Sequence, residues 1–479
     1  MKRTLLMLLA SFGLATMGSA QVTFKAVAGS DWGNDEGSDK VCDGNKDTKW
    51  CKNGDDDETK CYVILEASEA TYIQGFKMTT ANDNEKWAGR TPKTYTISGC
   101  DTKDGTYETI YYQADDNLIG DVNFKEYTIY CNSKKKYKYF KLWIKDSNIN
   151  GGRMFQLSEF TLIPSTMGFS FKDGKEKAVD GKTSEKWEDN PTTSVTVEAT
   201  EPTYLVGYQF TTANDNAQYT GRNPADWKIE GSNDCSDWHE IVNETNNTEL
   251  KDVNYVPYYF PLANPLDTAY RYYRVTVTKA QGGGYFQLGE VSFVGTTTPV
   301  VRVNIGSTGY ATVASDKPLD FTGTNVNAYV VQLKDNYAHL EPVSVVPANT
   351  AVVVQATSDN YLIPVSDNDQ TEIPQNDLKV SDGNVQGGSS IFVLGNKSKG
   401  IGFYPTAETL SLPRGKGYLE IDATAEVQAF LSFGEGTETS IADTMSKTTG
   451  VADIYNLSGQ RVSRMQKGVN IVNGKKIIY

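Results

Sequence analysis

The chain has 479 residues, which is enough for about three domains. Aromatic residues make up 11% of the sequence, and this favours a packed chain over a disordered one. The 60 acidic residues outnumber the 46 Lys and Arg, and the formal net charge of -14 disfavours binding to nucleic acid or to anionic membrane surfaces. The two histidines, His239 and His339, leave little room for a Ser-His-Asp triad and exclude a zinc site that needs three histidines.

Residues 1–20 have the features of a secretory signal peptide. Lys2 and Arg3 precede an apolar stretch that runs from Leu5 to about Met17, and small residues precede Gln21. No later stretch approaches the roughly 18 apolar residues of a membrane span, so no transmembrane helix is expected. We therefore expect an exported protein, either secreted or at the cell surface.

A repeat of domain length follows. The 25 residues from Gly75 to Gly99 and those from Gly207 to Gly231 are identical at 12 positions, at an offset of 132. An Asp-Gly turn followed by Trp precedes each block, and a Phe-Gln-Leu block with a Glu follows each one in the same order. This pattern predicts two copies of one domain, at residues 22–164 and 168–295.

Both copies are predicted to be built from β-strands. Runs rich in β-branched and aromatic residues alternate with clusters of Gly, Asn and Asp, and convincing helical periodicity is absent. The clearest runs are Tyr62–Leu65, Tyr95–Ile97, Tyr139–Ile144, Val195–Val197 and Tyr272–Val277. Many short strands with loop-rich connections indicate an all-β chain with two tandem jelly-roll β-sandwiches.

Five motifs in this order resemble the discoidin family, also called coagulation-factor type C domains. They are AVDGKTSEKW, TTANDN with GRNP, IEGSND with Trp238, YRYYRV and FQLGEV. The family shares its fold with galactose-binding-like carbohydrate-binding modules. The resemblance implies an eight-stranded jelly roll that binds glycans or other surface ligands through loops at one end.

The resemblance also implies a structural Ca²⁺ in the oxygen-rich loop that begins at Asp43, closed by a Glu from the last strand. The candidate side-chain ligands are Asp43, Thr48 and Glu159 in the first copy and Asp180 and Glu290 in the second. Glu185 stands where Thr48 stands in the first copy, which weakens the second site. The alternative is an Asp-Gly turn without a metal.

The TTANDN block suggests a ligand site next to it. Its candidate ligand-binding residues are Asn82, Trp87 and Arg90 in the first copy, and Asn214, Tyr219 and Arg222 in the second, with Trp32 in an earlier loop of the first copy. An exposed aromatic ring and an Arg guanidinium suit a sugar or a carboxylate. The alternatives are core aromatic residues and an Arg that pins its loop by pairing with Asp83, which we favour for Arg90. Four tryptophans border predicted strands and are expected in the core, namely Trp50, Trp143, Trp187 and Trp238.

Five of the six cysteines lie in the first copy. Cys51 and Cys61 flank an acidic insertion that the second copy largely lacks, and a disulfide between them would staple that loop, a stabilisation of roughly 2 to 3 kcal/mol. The odd number of cysteines leaves at least one free thiol in this copy, and their spacing does not suggest zinc.

The rest of the chain contains a third β-rich domain, a linker and a tail. Residues 300–433 contain GSTGYATVASDKPLDF and PANTAVVV, with which they resemble a β-domain of exported proteins from Bacteroidetes-type bacteria. Residues 434–450 have the Gly, Ser and Thr content of a linker. Residues 451–479, with IYNLSGQRV and a Lys-rich final strand, resemble the C-terminal type IX sorting modules of those bacteria. The alternative is a strand pair that packs on the third domain.

These observations predict an exported, non-catalytic protein that binds glycans or cell-surface polysaccharide through two discoidin-like modules. The alternative is an adhesion or structural protein whose jelly rolls contact other surface proteins. A hydrolase in residues 300–433 is a third reading, although no pair of carboxylates stands out there.

Overall fold

The computed structural model describes residues 22–334, 337–368, 371–421 and 430–433, together with four short strands between residues 454 and 478. The predicted signal peptide and the predicted linker lie outside the described residues. The chain is all-β, as predicted, with 51% of it in strands. The described helices are two short 3₁₀ helices, Ser38–Cys42 and Glu176–Ala178.

The first repeat is a β-sandwich of nine strands. They are β1 (Phe24–Gly29), β2 (Trp50–Asn53), β3 (Tyr62–Thr79), β4 (Pro92–Cys100), β5 (Glu108–Gln113), β6 (Glu126–Tyr130), β7 (Tyr137–Ser147), β8 (Met154–Leu157) and β9 (Glu159–Ser165). One sheet has the order β1-β3-β7-β4-β5, while β6 and β9 both pair with β3. The predicted runs at Tyr62, Tyr95 and Tyr139 lie in β3, β4 and β7, which confirms them as strands.

The long strand β3 belongs to both layers of the sandwich. Residues 62–67 pair with β1 and β7, whereas residues 72–79 pair with β6 and β9. Ser68, Glu69 and Ala70 are exposed between the two halves, where the strand passes from one layer to the other. Apolar side chains on either side of this crossing point into one core.

The second repeat has the same topology. Its strands are β10 (Phe169–Asp173), β11 (Trp187–Asp189), β12 (Thr193–Thr211), β13 (Pro224–Ser232), β14 (His239–Glu244), β15 (Pro257–Pro261), β16 (Tyr270–Ala280), β17 (Phe286–Leu288) and β18 (Glu290–Thr296). The long strand β12 again pairs with partners in both layers. The duplicated sequence therefore gives a duplicated fold.

A buried tryptophan anchors the same small strand pair in each repeat. Trp50 on β2 packs edge-on against Phe155 on β8, with ring centroids 4.8 Å apart, and Trp187 packs in the same way against Phe286 at 4.8 Å. Both tryptophans are buried, as predicted. Trp143 and Trp238, which the sequence also placed in the core, are only partly buried.

Amide side chains join the two repeats, which belong to one compact unit. Gln209 donates to the carbonyl of Tyr130 at 2.9 Å and accepts from the N–H of the same residue at 3.0 Å. Asn132 makes the same two contacts with Phe293, both at 2.8 Å. Each side-chain amide thus forms hydrogen bonds with the N–H and the carbonyl of one residue in the other repeat, as the backbone of a neighbouring strand would.

The remaining strands are β19 (Val300–Ile305), β20 (Tyr310–Val313), β21 (Leu319–Asp320), β22 (Asn327–Lys334), β23 (Tyr337–Val343), β24 (Val345–Val346), β25 (Val352–Gln355), β26 (Asp359–Pro364), β27 (Lys379–Val380), β28 (Ile391–Lys397), β29 (Gly400–Pro405), β30 (Gly417–Glu420) and β31 (Leu431–Ser432). The tail contains β32 (Ile454–Asn456), β33 (Arg461–Val462), β34 (Val469–Val472) and β35 (Lys475–Ile478). Its four strands form one antiparallel sheet in the order β33-β32-β34-β35.

The chain divides into two compact units. The first is Met1–Asn304 with Lys317–Val326 and Asp359–Asp369, and the second is Ile305–Asp316 with Asn327–Ser358 and Gln370–Tyr479. In the second unit, one sheet has the order β20-β25-β22-β23 and another has the order β27-β30-β28-β29-β31. The predicted domain boundaries remain predictions.

The cysteines do not pair. All six are free thiols, and Cys61 is buried while Cys51 is half-buried. The expected Cys51–Cys61 disulfide is therefore not formed. The acidic insertion between them is held instead by ion pairs such as Arg153 to Asp56 at 2.7 Å, and by a hydrogen bond of 2.9 Å from Trp143 to the carbonyl of Asp55.

Candidate functional site

Two loops of the first repeat meet around the strand pair β2–β8. The N–H of Cys51 on β2 donates to the carbonyl of Glu36 in the β1–β2 loop at 3.1 Å. The N–H of Gln156 on β8 donates to the carbonyl of Arg90 in the β3–β4 loop at 2.7 Å. Because Cys51 and Gln156 face each other in the β2–β8 register, the two loops flank this pair.

An exposed aromatic ring covered by a guanidinium lies in the β3–β4 loop, at the predicted position. Trp87 is 42% exposed, and the guanidinium carbon of Arg90 lies 4.4 Å from the centre of its ring. The second repeat repeats the arrangement with Tyr219, 40% exposed, and Arg222 at 4.3 Å. Such cation–π contacts contribute about 0.5–1 kcal/mol at exposed positions and fix the side chains relative to each other.

The aspartate of the TTANDN block is held by a lysine rather than by the arginine. The Nζ of Lys49 lies 2.7 Å and 2.9 Å from the two carboxylate oxygens of Asp83 and donates to Gln156 at 3.2 Å. Lys186 makes the corresponding contacts with Asp215 and Gln287 in the second repeat. The favoured Arg90–Asp83 pairing is therefore wrong, because Lys49 neutralises the aspartate and leaves Arg90 stacked on Trp87.

The predicted ligand residues Asn82 and Asn214 connect loops within the protein. Asn82 donates from Nδ2 to the carbonyl of Asp47 at 3.0 Å, and Asn214 donates to the carbonyl of Ser184 at 3.1 Å. Among the described residues, the buried Oδ1 of each has no hydrogen-bond partner. These amides attach the aromatic loop to the Asp-Gly loop in both copies.

Trp32 lies in a loop that is longer in the first repeat than in the second. Eight residues, 30–37, separate β1 from the 3₁₀ helix there, whereas two residues, 174–175, do so in the second repeat. Trp32 is 48% exposed. Its loop is held to β2 by the ion pair between Asp31 and Lys52 at 2.6 Å, so it borders the strand pair β2–β8.

A shallow depression of about 550 Å³ lies next to the Trp87 loop, in the β7–β8 loop. A Cβ added at Gly89 would lie 2.8 Å from the Cα of Ile149, which shows how closely the two loops approach. The depression is lined by Lys93, Asp146, Ser147, Asn148, Ile149, Asn150, Gly151, Gly152 and Arg153. Its polar lining suits hydroxyl groups.

Sequence reasoning missed two features of the second site. Tyr285 is 53% exposed, and its loop is tied to the Tyr219 loop by a hydrogen bond of 2.7 Å from Gly282 to Gly221. Glu188 pairs with Arg222 and with Lys186, both at 2.7 Å. The three glycines before Tyr285 were a readable sign of a loop, whereas the Glu188 contacts required the β11–β17 register.

The candidate cation loop of the first repeat brings its predicted residues together. Thr48 donates from Oγ1 to the Oδ2 of Asp43 at 2.8 Å, and Glu159 contacts Asp43. Burial, with the neighbouring Asp43 carboxylate, raises the pKa of Glu159 to about 7. The Oε1 of Glu159 is buried and has no hydrogen-bond partner among the described residues. An oxygen in this position suits a hard cation.

No cluster of three or more His, Cys, Asp or Glu side chains that could hold a metal exists in the described part of the chain. A cation in the Asp43 loop would therefore take most of its ligands from hydroxyl and backbone carbonyl oxygens. Calcium accepts such ligands, whereas a transition metal prefers imidazole or thiolate.

The corresponding loop of the second repeat is packed against the first repeat. The N–H of Tyr112 on β5 donates to the carbonyl of Gly181 at 2.7 Å, and the N–H of Thr183 donates back to Tyr112 at 3.0 Å. Glu290 is 4% exposed and accepts from the N–H of Gly181 at 3.1 Å. Burial raises its pKa well above the usual range. The carbonyl of Gly181 is therefore already occupied, whereas the Oε2 of Glu290 is buried and, like the Oε1 of Glu159, has no hydrogen-bond partner among the described residues.

Glu185 does not replace Thr48 as a partner of the loop aspartate. Its carboxylate pairs with Lys177 at 3.2 Å and with Lys182 at 3.5 Å, and Lys182 also lies 4.0 Å from Asp180. The departure from the first repeat that the sequence showed at this position is thus a real difference in the loop.

Comparison with known proteins identifies the family of the two repeats. The family model described as F5/8 type C domain matches residues 25–160 and 164–291, together more than half of the chain. No curated protein matches the chain. No helix among the described residues is long and apolar enough to cross a membrane.

Three solved structures illustrate the similarity. CpGH89CBM32-5 from Clostridium perfringens, in complex with GalNAc-beta-1,3-galactose, has 16% identity, covers 30% of this chain and 94% of that chain, and has a TM-score of 0.23. The CBM32-1 and CBM32-2 domains of Clostridium perfringens ZmpB are 12% identical to this chain, and the match covers 58% of this chain and 92% of that chain, with a TM-score of 0.22. A fucolectin from Morone saxatilis serum is 11% identical to this chain, and the match covers 57% of this chain and 96% of that chain, with a TM-score of 0.22. At these identities the likeness concerns the fold alone.

Proposed function

Because the chain belongs to the F5/8 type C domain family, we propose that it is an exported, non-catalytic protein that binds carbohydrate through its two repeats. The observation that supports this most strongly is the pairing of an exposed aromatic ring with a stacked guanidinium, Trp87 with Arg90 and Tyr219 with Arg222. The same pairing in both copies, on the same loop, is not needed for either core.

The two kinds of group suit the two faces of a sugar. The C–H face of a pyranose ring packs on an indole or phenol ring, while guanidinium and ammonium groups donate to its hydroxyls. Lys49 pairs with Asp83 of the Trp87 loop, and Lys186, 5.7 Å from the centre of the Tyr219 ring, pairs with Asp215, so each pair offers both donors and acceptors. Sites of this open kind bind weakly on their own, and two on one chain gain from effective concentration on a surface that displays many sugars.

A glycan array probed with the purified protein tests the proposal. We expect binding to a defined class of glycans, and its loss when Trp87→Ala and Tyr219→Ala are combined. Tyr337→Ala serves as the matched control, because that tyrosine is equally exposed but lies outside both repeats. Equal binding by the wild type and the double variant would contradict the proposed site.

We also propose that Ca²⁺ stabilises the Asp43 loop of the first repeat. Asp43, Thr48 and Glu159 would provide side-chain ligands, and the cation would neutralise the two adjacent carboxyl groups. Asn82 would then transmit the order of this loop to the Trp87 loop through its contact with Asp47. The role proposed for the cation is structural, not catalytic.

Finally, we propose that residues 1–20 direct export and that residues 451–479 act as a type IX sorting module. Support comes from the apolar N-terminal stretch, from the basic composition of the tail and from its own small antiparallel sheet. A separate module of this kind would leave the sugar sites of the first unit unaffected.

A further inference from the structure

The two aromatic–arginine sites differ at one position of the small strand pair. Cys51 on β2 and Glu188 on β11 occupy the same place, because each follows the buried tryptophan and each faces a glutamine in register, Gln156 or Gln287. One copy therefore has a thiol where the other has a carboxylate, and both groups interact electrostatically with the arginine of their site.

In the second repeat this carboxylate forms ion pairs with both cationic side chains of the site. Glu188 lies 2.7 Å from Arg222 and 2.7 Å from Lys186. Arg222 thus already has a carboxylate partner. A ligand carboxylate would have to displace Glu188, while a neutral sugar would not.

In the first repeat the arginine lacks such a partner. Lys49 is paired with Asp83 at 2.7 Å and with Glu36 from the Trp32 loop at 3.7 Å. Among the described residues, Arg90 makes no ion pair and no side-chain hydrogen bond, and its guanidinium stacks on the face of Trp87. Its N–H groups are therefore available to a ligand.

We infer that the first repeat selects a carboxylated sugar and the second a neutral one, an inference that rests on the proposed function. Glu188 shows that a carboxylate fits beside the arginine of this site, at hydrogen-bond distance from it. A sugar carboxylate takes the same place beside Arg90 while its ring packs on Trp87. The planar fork of the guanidinium matches a planar carboxylate, with two parallel hydrogen bonds.

The acidity of the whole chain does not prevent this. A formal net charge of -14 is spread over 479 residues, and exposed charges more than about 8–10 Å away are largely screened at physiological salt. A direct charge-assisted hydrogen bond is short and partly desolvated, so it outweighs that distant repulsion. The binding of a carboxylated sugar should accordingly weaken as salt is added.

An array of glycans ending in galacturonate, glucuronate, N-acetylneuraminate, sulfated galactose and neutral galactose tests the inference. We expect wild-type protein to bind carboxylated glycans in a manner lost with Trp87→Ala and kept with Tyr219→Ala. Cys51→Glu, which supplies the carboxylate that Arg90 lacks, should weaken this binding by about tenfold or more. Cys235→Glu is the matched control, because it adds the same charge at an exposed cysteine of the second repeat.

The reverse change gives a gain of binding that misfolding cannot imitate. In a Trp87→Ala background, Glu188→Gln releases Arg222 and should restore binding to carboxylated glycans. Trp87-dependent binding to neutral or sulfated glycans only would overturn the inference and leave the proposed function standing. A failure of Glu188→Gln to restore binding would also overturn it, and binding to no glycan at all would overturn both.

Discussion

Asp116 is a buried carboxyl group in the first repeat whose second-repeat counterpart cannot ionise. It is 1% exposed, accepts from the N–H groups of Leu118 and Ile119 at 2.8 Å each, and accepts from the hydroxyl of Tyr95 at 2.8 Å. Burial raises its pKa from 3.8 to about 6, although these hydrogen bonds act in the opposite direction. Asn247 makes the equivalent loop contacts in the second repeat.

The raised pKa makes stability depend on pH. Because the folded state holds this proton more tightly than the unfolded chain does, the stabilisation is complete below about pH 4 and is lost as the pH rises through 6. The loss amounts to about 2–3 kcal/mol for a shift of this size. Asp116→Asn should remove this part of the pH dependence between pH 4 and pH 7.

Urea unfolding at several pH values measures the effect. The free energy of unfolding should fall more steeply with rising pH for wild type than for Asp116→Asn, and Asp101→Asn, at an exposed position, should follow the wild type. Parallel profiles for wild type and Asp116→Asn would show that this carboxyl does not control the pH response.

Residue roles were harder to predict than residue positions. The exposed aromatic residues Trp87 and Tyr219 and the buried Trp50 and Trp187 could be read from the repeat and its motifs. The partner of Arg90 could not, because Lys49 precedes Asp83 by 34 residues and reaches it only through the fold. Cys51 and Cys61 looked like a pair only because they are near in sequence.

At the scale of elements, the amide bridges between the repeats decide whether the two sandwiches unfold together. Gln209 is buried and satisfies both backbone groups of Tyr130. In the first repeat the position corresponding to Gln209 is Lys77, which forms an ion pair with Glu126 instead. The junction thus uses residues in which the copies differ.

Gln209→Leu should weaken this junction. It leaves a buried N–H and a buried carbonyl of Tyr130 without partners, at a cost of about 1–3 kcal/mol for each group. Calorimetry should show a lower melting temperature and separate transitions for the two repeats. Lys77→Leu is the control and should have little effect, and an unchanged transition in Gln209→Leu would refute a structural role for the bridge.

The Asp43 loop gives a second prediction at this scale. Millimolar Ca²⁺ should raise the melting temperature, and a chelator should reverse the rise. At a hundredfold excess of Ca²⁺ over Kd, the free energy of unfolding should increase by about 2.7 kcal/mol. Asp43→Asn should abolish the response, whereas Asp180→Asn should leave it, because the Gly181 loop is occupied by its contacts with Tyr112. A melting temperature that does not change when Ca²⁺ is added would argue against the site.

Fold elements were largely predictable because the signal is local and occurs twice. Alternating apolar residues and Gly-rich turns predict strands, and the repeat predicts their duplication. The junction between the repeats was not predictable, since Asn132 and Phe293 are 161 residues apart and neither has an unusual sequence context. The crossing of β3 between layers likewise depends on pairing with four distant strands.

For the whole molecule, deletion from Val451 onward separates targeting from binding. The truncated protein should bind glycans as the full chain does but accumulate in a different cell fraction. Fractionation of expressing cells measures this directly. Full-length levels of the truncated protein at the surface or in the medium would rule out a sorting role and favour a structural one.

The central claim is that the aromatic–arginine pairs of both repeats bind carbohydrate. Its most direct test is a titration of immobilised glycan, chosen from the array, with wild type, Trp87→Ala, Tyr219→Ala and the double variant. On a surface that carries both a carboxylated and a neutral glycan, we predict that each single variant weakens binding severalfold and that the double variant abolishes it while its melting temperature stays within a few degrees of wild type. Undiminished binding by a folded double variant would contradict the account.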